Sequence, residues 1–185
     1  MNKILIILLL TLPTLILAKN NRLTINPQAP VETKQYAPLL GNWTITDSSL
    51  NKEGKWQAGK GADWNWYTIL DGQAIQDDWI QPSLDVDVGT GIRQYGTNIR
   101  IFNTKTKQWN QIWTSLGSRK FDNFTAVEKD GAIIMRGFYA GNESRITFFN
   151  IQENSFDWKM EFQSKEDKSI WKEVYRIHGK RKKQL

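Results

Sequence analysis

Residues 156–163 read Phe-Asp-Trp-Lys-Met-Glu-Phe-Gln, an unbroken alternation of apolar and polar side chains. A strand turns successive side chains to opposite faces, so Phe156, Trp158, Met160 and Phe162 share one face and the charged residues share the other. Short runs of this texture recur at 39–46, 62–70, 74–81, 97–103, 109–115, 120–128, 132–139, 145–151, 156–163 and 170–178. No stretch after Leu39 sustains a 3.6-residue apolar period, so helical crossovers are not expected. Asp71-Gly72 and Asp130-Gly131 are hairpin signals, and 103–107 and 152–154 are polar loops. The long break at 82–96 holds Pro82, Gly89, Gly91 and Gly96 and reads as a mobile loop. About ten hairpin-linked strands predict an all-β, antiparallel, up-and-down barrel. A two-sheet sandwich is the alternative.

The flanks are of a different kind. Residues 4–17 (ILIILLLTLPTLIL) are apolar, with Lys3 before them and Ala18 after. A basic start, an apolar run and a small residue describe a signal peptide over 1–18 and a periplasmic or secreted chain. The run is short for a bilayer span and is interrupted by Pro13, so no integral span is expected once it is removed. An uncleaved N-terminal anchor is the alternative. Residues 19–38 are polar and carry Pro27, Pro30 and Pro38, as an extended N-terminal arm does. The barrel domain is expected over 39–179 and a basic, solvated tail over 180–185. The net charge is +6, but Lys3, Lys180, Arg181, Lys182 and Lys183 supply most of it. A nearly neutral barrel argues against nucleic acid as a partner.

Several chemistries are excluded outright. The chain has no cysteine and one histidine, so thiol nucleophiles, disulfides, zinc–thiolate sites and multi-histidine metal sites are impossible. His178, alone at a strand end, is not read as a haem ligand, and no metal or cofactor is expected. Asp77 and Asp78 are neighbours on a strand and face opposite ways, so they form no carboxylate pair. Asp85-Val86-Asp87 lacks the remaining ligands of a calcium loop, and 89–96 matches no dinucleotide fingerprint. The N-x-S/T sequons at Asn42, Asn123 and Asn142 matter only in a eukaryotic secretory pathway and are read as chance.

A barrel of this size has room for one small ligand, held by an apolar wall with a few convergent polar groups. The alternation assigns Trp64, Trp66, Thr68 and Leu70 to one face and Asn65, Tyr67 and Ile69 to the other. Asp77 shares a face with Ile75 and Trp79, and Arg100 with Asn98 and Phe102. Trp109, Gln111 and Trp113 group together. Arg136 sits between Ile134 and Phe138, and Glu173 between Trp171 and Tyr175. Buried charges need partners, so two acids and two arginines on such faces either neutralise one another or grip a polar head group. The ligand-binding candidates are Tyr67, Asp77, Trp79, Arg100, Trp109, Trp113, Arg136 and Glu173. Trp43 and Trp158 are expected in the core.

Gly41-Asn42-Trp43 opens the first strand and Arg176 lies in the last. This resembles the lipocalin, or calycin, arrangement, in which a Trp of the first strand packs beneath an Arg of the last and closes the barrel. The segments 66–77 (WYTILDGQAIQD), 95–102 (YGTNIRIF) and 155–158 (SFDW) resemble a family of uncharacterised exported bacterial proteins of lipocalin-like type. The glycine-bearing turn of that family stands here as 164–171 (SKEDKSIW), without its glycines. The resemblance implies a calycin-type barrel over most of 39–176 and no particular activity. The leading expectation is an exported binder of a small, partly apolar or anionic molecule. The alternatives are a barrel isomerase, cyclase or hydrolase using Asp77, Glu173 or Tyr67 as acid or base, and an envelope interaction protein with a filled core. No nucleophile–base pair is visible to identify a catalytic residue.

Overall fold

The computed structural model describes residues 22–183. The expected signal peptide over 1–18 lies outside the described residues. Eleven strands follow one another: β1 (Gly41–Leu50), β2 (Trp56–Ala58), β3 (Ala62–Ile69), β4 (Ala74–Gln81), β5 (Gln94–Asn103), β6 (Gln108–Ser115), β7 (Asp122–Lys129), β8 (Ala132–Tyr139), β9 (Asn142–Phe149), β10 (Ser155–Gln163) and β11 (Trp171–Arg181). From β3 onward each pairs antiparallel with the next, and β3 pairs with β1. β11 returns to β1, with Trp43 opposite Arg181 and Ser49 opposite Tyr175. That last pairing closes a ten-stranded up-and-down barrel and removes the sandwich alternative. The short β2 is a flap on the end of β1, with Leu50 opposite Trp56.

The turns show why these runs pair with their neighbours. Asp130 and Gly131 both take positive φ, 54° and 77°, in the two-residue loop between β7 and β8. Ala140 and Gly141 do the same between β8 and β9, at 49° and 80°. Two consecutive left-handed residues match the right-handed twist of the flanking strands.

The expected extended arm is not extended throughout. Val31–Leu39 is a 3₁₀ helix, and Thr33, Tyr36 and Leu39 are fully buried. A 3₁₀ helix has three residues per turn, so positions three apart stack on one side, and that side plugs one end of the barrel. Tyr36 meets Trp109 edge-on at 4.7 Å between ring centroids. The C-terminal boundary also moves. β11 runs on through Lys180 and Arg181, and Lys182 Nζ reaches Asp63 Oδ1 at 2.8 Å, so the cationic end is largely built into the barrel. The break after β4 is pinned at its start. Ser83 Oγ and the Leu84 N–H donate to the Asp63 carboxylate at 2.9 and 2.8 Å.

The core fills the plugged half. Trp43, Trp66, Trp109, Tyr36, Phe148 and Phe156 are, with Arg100, its largest fully buried side chains. Trp158, also buried, caps this cluster from above and touches Phe148 and Trp64.

Candidate functional site

In a meander, alternate connections lie at the same end. The 3₁₀ plug closes one end, and the other opens on a cavity of about 530 Å³. This is within the range of small-molecule sites. Its walls are aromatic and aliphatic: Trp79, Trp113, Trp158, Phe124, Phe148 and Met160 are representative. Gly96 sets the position of one wall. A Cβ there would stand 2.2 Å from Trp113 Cη2, so only a glycine lets that indole lie flat across β5.

The floor is polar and self-satisfied. Arg100 and Asp77, both buried, form an ion pair through Arg100 Nη1 and Asp77 Oδ2. Trp64 Nε1 donates to Asp77 Oδ1 at 2.7 Å, and Asn98 Nδ2 lies 3.2 and 3.3 Å from its two oxygens. Arg100 Nε donates to Gln111 Oε1 at 3.0 Å, and Gln111 Nε2 donates to the Tyr36 hydroxyl at 3.0 Å. The guanidinium also lies over the Trp66 ring, 4.2 Å from its centroid. Burial pushes the Asp77 carboxyl above its ordinary value, while Arg100, Trp64 and Asn98 pull it back. Burial likewise raises the Tyr36 phenol, to about 12. Trp64, Asn98 and Arg100 face the cavity, Asp77 lies behind them, and the chain of bonds ends on the plug.

Nearer the mouth, the Tyr175 hydroxyl donates to Asp47 Oδ2 at 2.5 Å. Gln81 Nε2 donates to the same oxygen at 3.0 Å, and the Gly61 N–H to Oδ1 at 2.8 Å. Burial and the neighbouring Asp47 hold the Tyr175 phenol far above its ordinary value. Tyr175 and Gln81 line the cavity. The sequence reading missed this cluster. Its one signal is Asp47, a carboxylate in step with Trp43 and Ile45 on the inward side of β1.

Of the eight candidates, Trp79, Arg100 and Trp113 line the cavity and Asp77 supports its floor. The other four lie elsewhere. Tyr67 faces outward, where its hydroxyl donates to Asp78 Oδ2 at 2.8 Å and Arg22 covers its ring at 3.5 Å. Trp109 is buried beneath the cavity, donating through Nε1 to Gln35 Oε1 at 2.9 Å. Arg136 is exposed on the outer face over Trp171, at 5.1 Å. Glu173 also lies outside, paired with Arg176 at 2.8 Å. A bulge explains it: Met160 pairs with Tyr175 but Glu161 pairs with Glu173, so the extra residue, Val174, reverses the facing of the β11 residues that precede Tyr175. His178 likewise points out, Nδ1 2.8 Å from Asp157 Oδ1.

The barrel-closing pair is Trp43 with Arg181, not Arg176. Arg181 covers the Trp43 ring at 4.1 Å, and its Nη1 and Nη2 donate to the carbonyls of Leu40 and Pro38 at 2.6 and 2.7 Å. Arg176 faces outward over Trp56, at 3.6 Å.

Comparison with known proteins agrees with this architecture. The S-type phycobiliprotein lyase CPES from Guillardia theta has a similar fold, with a TM-score of 0.54 and 13% sequence identity over 82% of this chain and 93% of that one. At that identity the likeness shows the fold alone. No protein-family model and no curated protein matches the chain. The chain is a ten-stranded, lipocalin-like β-barrel with an aromatic-walled cavity open at one end.

Proposed function

We propose that this protein is an exported carrier that holds one small, flat, largely apolar molecule in the open half of its barrel. The observation that carries the reading is the cavity of about 530 Å³ walled by Trp79, Trp113 and Trp158 over a floor whose buried charges cancel. Indole faces offer broad apolar area and stack on planar ligands. Asn98 and the Tyr175–Asp47 cluster supply the polar contacts that orient such a ligand. An anionic head group fits less well, because Arg100 already has its counter-ion in Asp77 and Asp77 would be left buried and unpaired if it were displaced. The groups named for a barrel enzyme do not favour that alternative. Glu173 and Tyr67 are outside, and the oxygens of Asp77 already accept from Trp64, Asn98 and Arg100. Export rests on the apolar run at 4–17. The fold likeness to a phycobiliprotein lyase fits a small-molecule role without specifying the molecule.

The test is native mass spectrometry of the protein taken from its own host's envelope, before and after mild denaturation. A non-covalent adduct of a few hundred daltons that leaves on unfolding, and that Trp79→Ala or Trp113→Ala weakens, is the expected result. An apo mass, joined to unquenched tryptophan fluorescence across a panel of planar apolar compounds, overturns it.

A further inference from the structure

We propose that the open end of the barrel docks on an anionic lipid bilayer, so that the cavity exchanges its ligand with lipid and not with water. The purpose given to the docking rests on the carrier reading, but the docking itself does not.

The argument begins with topology. The connections after β1, β4, β6, β8 and β10 all lie at the mouth, and Leu50, Gln94, Tyr95, Ser115, Tyr139 and Phe162 at their bases line the cavity. These connections carry large apolar side chains into solvent: Ile92 is 80% exposed, Phe121 69%, and Leu116 and Ile170 about half, as is Tyr95 at the start of β5. The plugged end exposes fewer: Leu70 alone in its turns 70–73, 104–107, 130–131 and 150–154, with the aliphatic Val31 on the 3₁₀ helix and Leu23 before it, and no aromatic ring. The Leu116 N–H donates to the Tyr95 carbonyl at 2.9 Å, so two of the apolar connections lie side by side at the rim. Exposed apolar surface continuous with an apolar cavity marks a surface that is covered in use.

Charge selects what covers it. The mouth connections 51–61, 82–93, 116–121, 140–141 and 164–170 hold eight lysines and arginines against five acids. Arg119 and Lys120 stand exposed between Leu116 and Phe121, and neither makes an ion pair among the described residues. Phe and Leu flanked by unpaired cations is the interfacial pattern. The apolar groups enter the acyl boundary, and each cation near an anionic surface adds about 1 kcal/mol. A mostly apolar ligand leaving the cavity then meets acyl chains directly.

The chain has no cysteine, which makes a local probe clean. Ser118→Cys at the mouth and Asp130→Cys at the plugged end are each labelled, in the full chain, with an environment-sensitive fluorophore. The labelled proteins are mixed with phosphatidylcholine vesicles with and without phosphatidylglycerol. The expected result is a blue-shifted, brighter Ser118→Cys label on the anionic vesicles and an unmoved Asp130→Cys label. Adding Phe121→Ser weakens the response, and Arg119→Gln with Lys120→Gln weakens partition by roughly 30-fold, the equivalent of two surface cations. An attachment through the N-terminal residues gives a different signature. Residue 22 joins the barrel at the plugged end, its carbonyl accepting from the Thr68 N–H, so such an attachment moves the Asp130→Cys label instead. A mouth label unmoved at saturating lipid, equal responses at both ends, or indifference to phosphatidylglycerol overturns the proposal. Docking that persists when no ligand adduct is found overturns the carrier reading alone, and an adduct without docking overturns this one alone.

Discussion

Arg181 stands directly across from Trp43 on the neighbouring strand, with its guanidinium 4.1 Å from the indole centroid and its nitrogens on the carbonyls of Pro38, Leu40 and Glu153. Gly41 makes this possible. It takes φ +118°, and a Cβ there would lie 2.6 Å from Arg181 Nη1. One arginine thereby joins the first strand, the last strand, the C-terminal end of the 3₁₀ plug and the turn before β10.

Arg181→Ala is therefore expected to destabilise the barrel by about 2–3 kcal/mol, since charged hydrogen bonds and a sheltered cation–π contact are lost together. Arg176→Ala removes an exposed pair with Glu173 and a contact with Trp56, and is expected to cost under about 1 kcal/mol. Urea unfolding of both variants checks the assignment. Equal losses, or the larger loss at Arg176, return the closing role to Arg176.

The buried pair under the cavity makes a second prediction. Asp77→Ala leaves Arg100 charged and unpaired in the core, at a cost of about 3–5 kcal/mol. Replacing both, as Asp77→Leu with Arg100→Met, removes the uncompensated charge and is expected to be less destabilising than Asp77→Ala alone. A double-mutant cycle in urea reads the coupling. Additive losses show that the two groups do not depend on each other.

How much of this was legible follows from particular residues. The ten strand runs stood out because alternation and turn chemistry agreed, and Trp43, Trp79, Asp77, Arg100 and Trp113 took the inward positions alternation assigned them. Arg136 misled because both faces of β8 are apolar: Ile133 and Met135 point in, yet Ile134 and Phe138 flank Arg136 outside. Glu173 misled because one bulged residue reverses every facing beyond it. Trp109 is inward as expected, but its height decides its role, and height depends on a plug whose i, i+3 pattern was split: Thr33 and Tyr36 fell in the expected arm and Leu39 in the expected first strand. Arg181 was hidden by ending the last strand at His178. Had the odd-numbered series of Ile177 and Gly179 been continued, it would have reached Arg181.

Acid is expected to weaken the protein through its paired carboxylates. Burial works to raise the Asp63 carboxyl, but hydrogen bonds from Lys182, the Leu84 N–H and Ser83 outweigh it and hold it below the ordinary value. A group whose folded value is depressed stabilises the fold above its unfolded value, about 3.9, and loses that contribution as pH falls through the folded value. Glu161, gripped by Arg145 and Lys159, and Asp157, held by Asn150 and His178, act in the same sense. Asp77, raised by burial, acts in the opposite one. Asp63→Asn is expected to cost about 1–3 kcal/mol at pH 7, where it breaks a satisfied buried acceptor. The gap to the parent should narrow as pH drops below about 4. Urea midpoints across that range check it, and a gap independent of pH assigns the loss to packing.

Gly96 separates the ligand role from stability most cleanly. Its missing Cβ gives room to the edge of the Trp113 indole, the far end of a side chain that borders the open cavity. In Gly96→Ala the ring has somewhere to go, into the cavity. Overpacking is therefore relieved at the expense of ligand volume, and the stability loss should stay at the low end of about 1–3 kcal/mol. Ligand affinity should fall far more than stability does. Gly179→Ala is the control. There a Cβ would stand 2.4 Å from the Phe156 ring, which is fully buried against Trp43 and has no void to enter. That variant should lose stability sharply and, while folded, keep its ligand. Paired measurements of unfolding and of tryptophan quenching by the isolated ligand read both effects. If Gly96→Ala binds as the parent does, Trp113 is not part of the wall that the ligand touches.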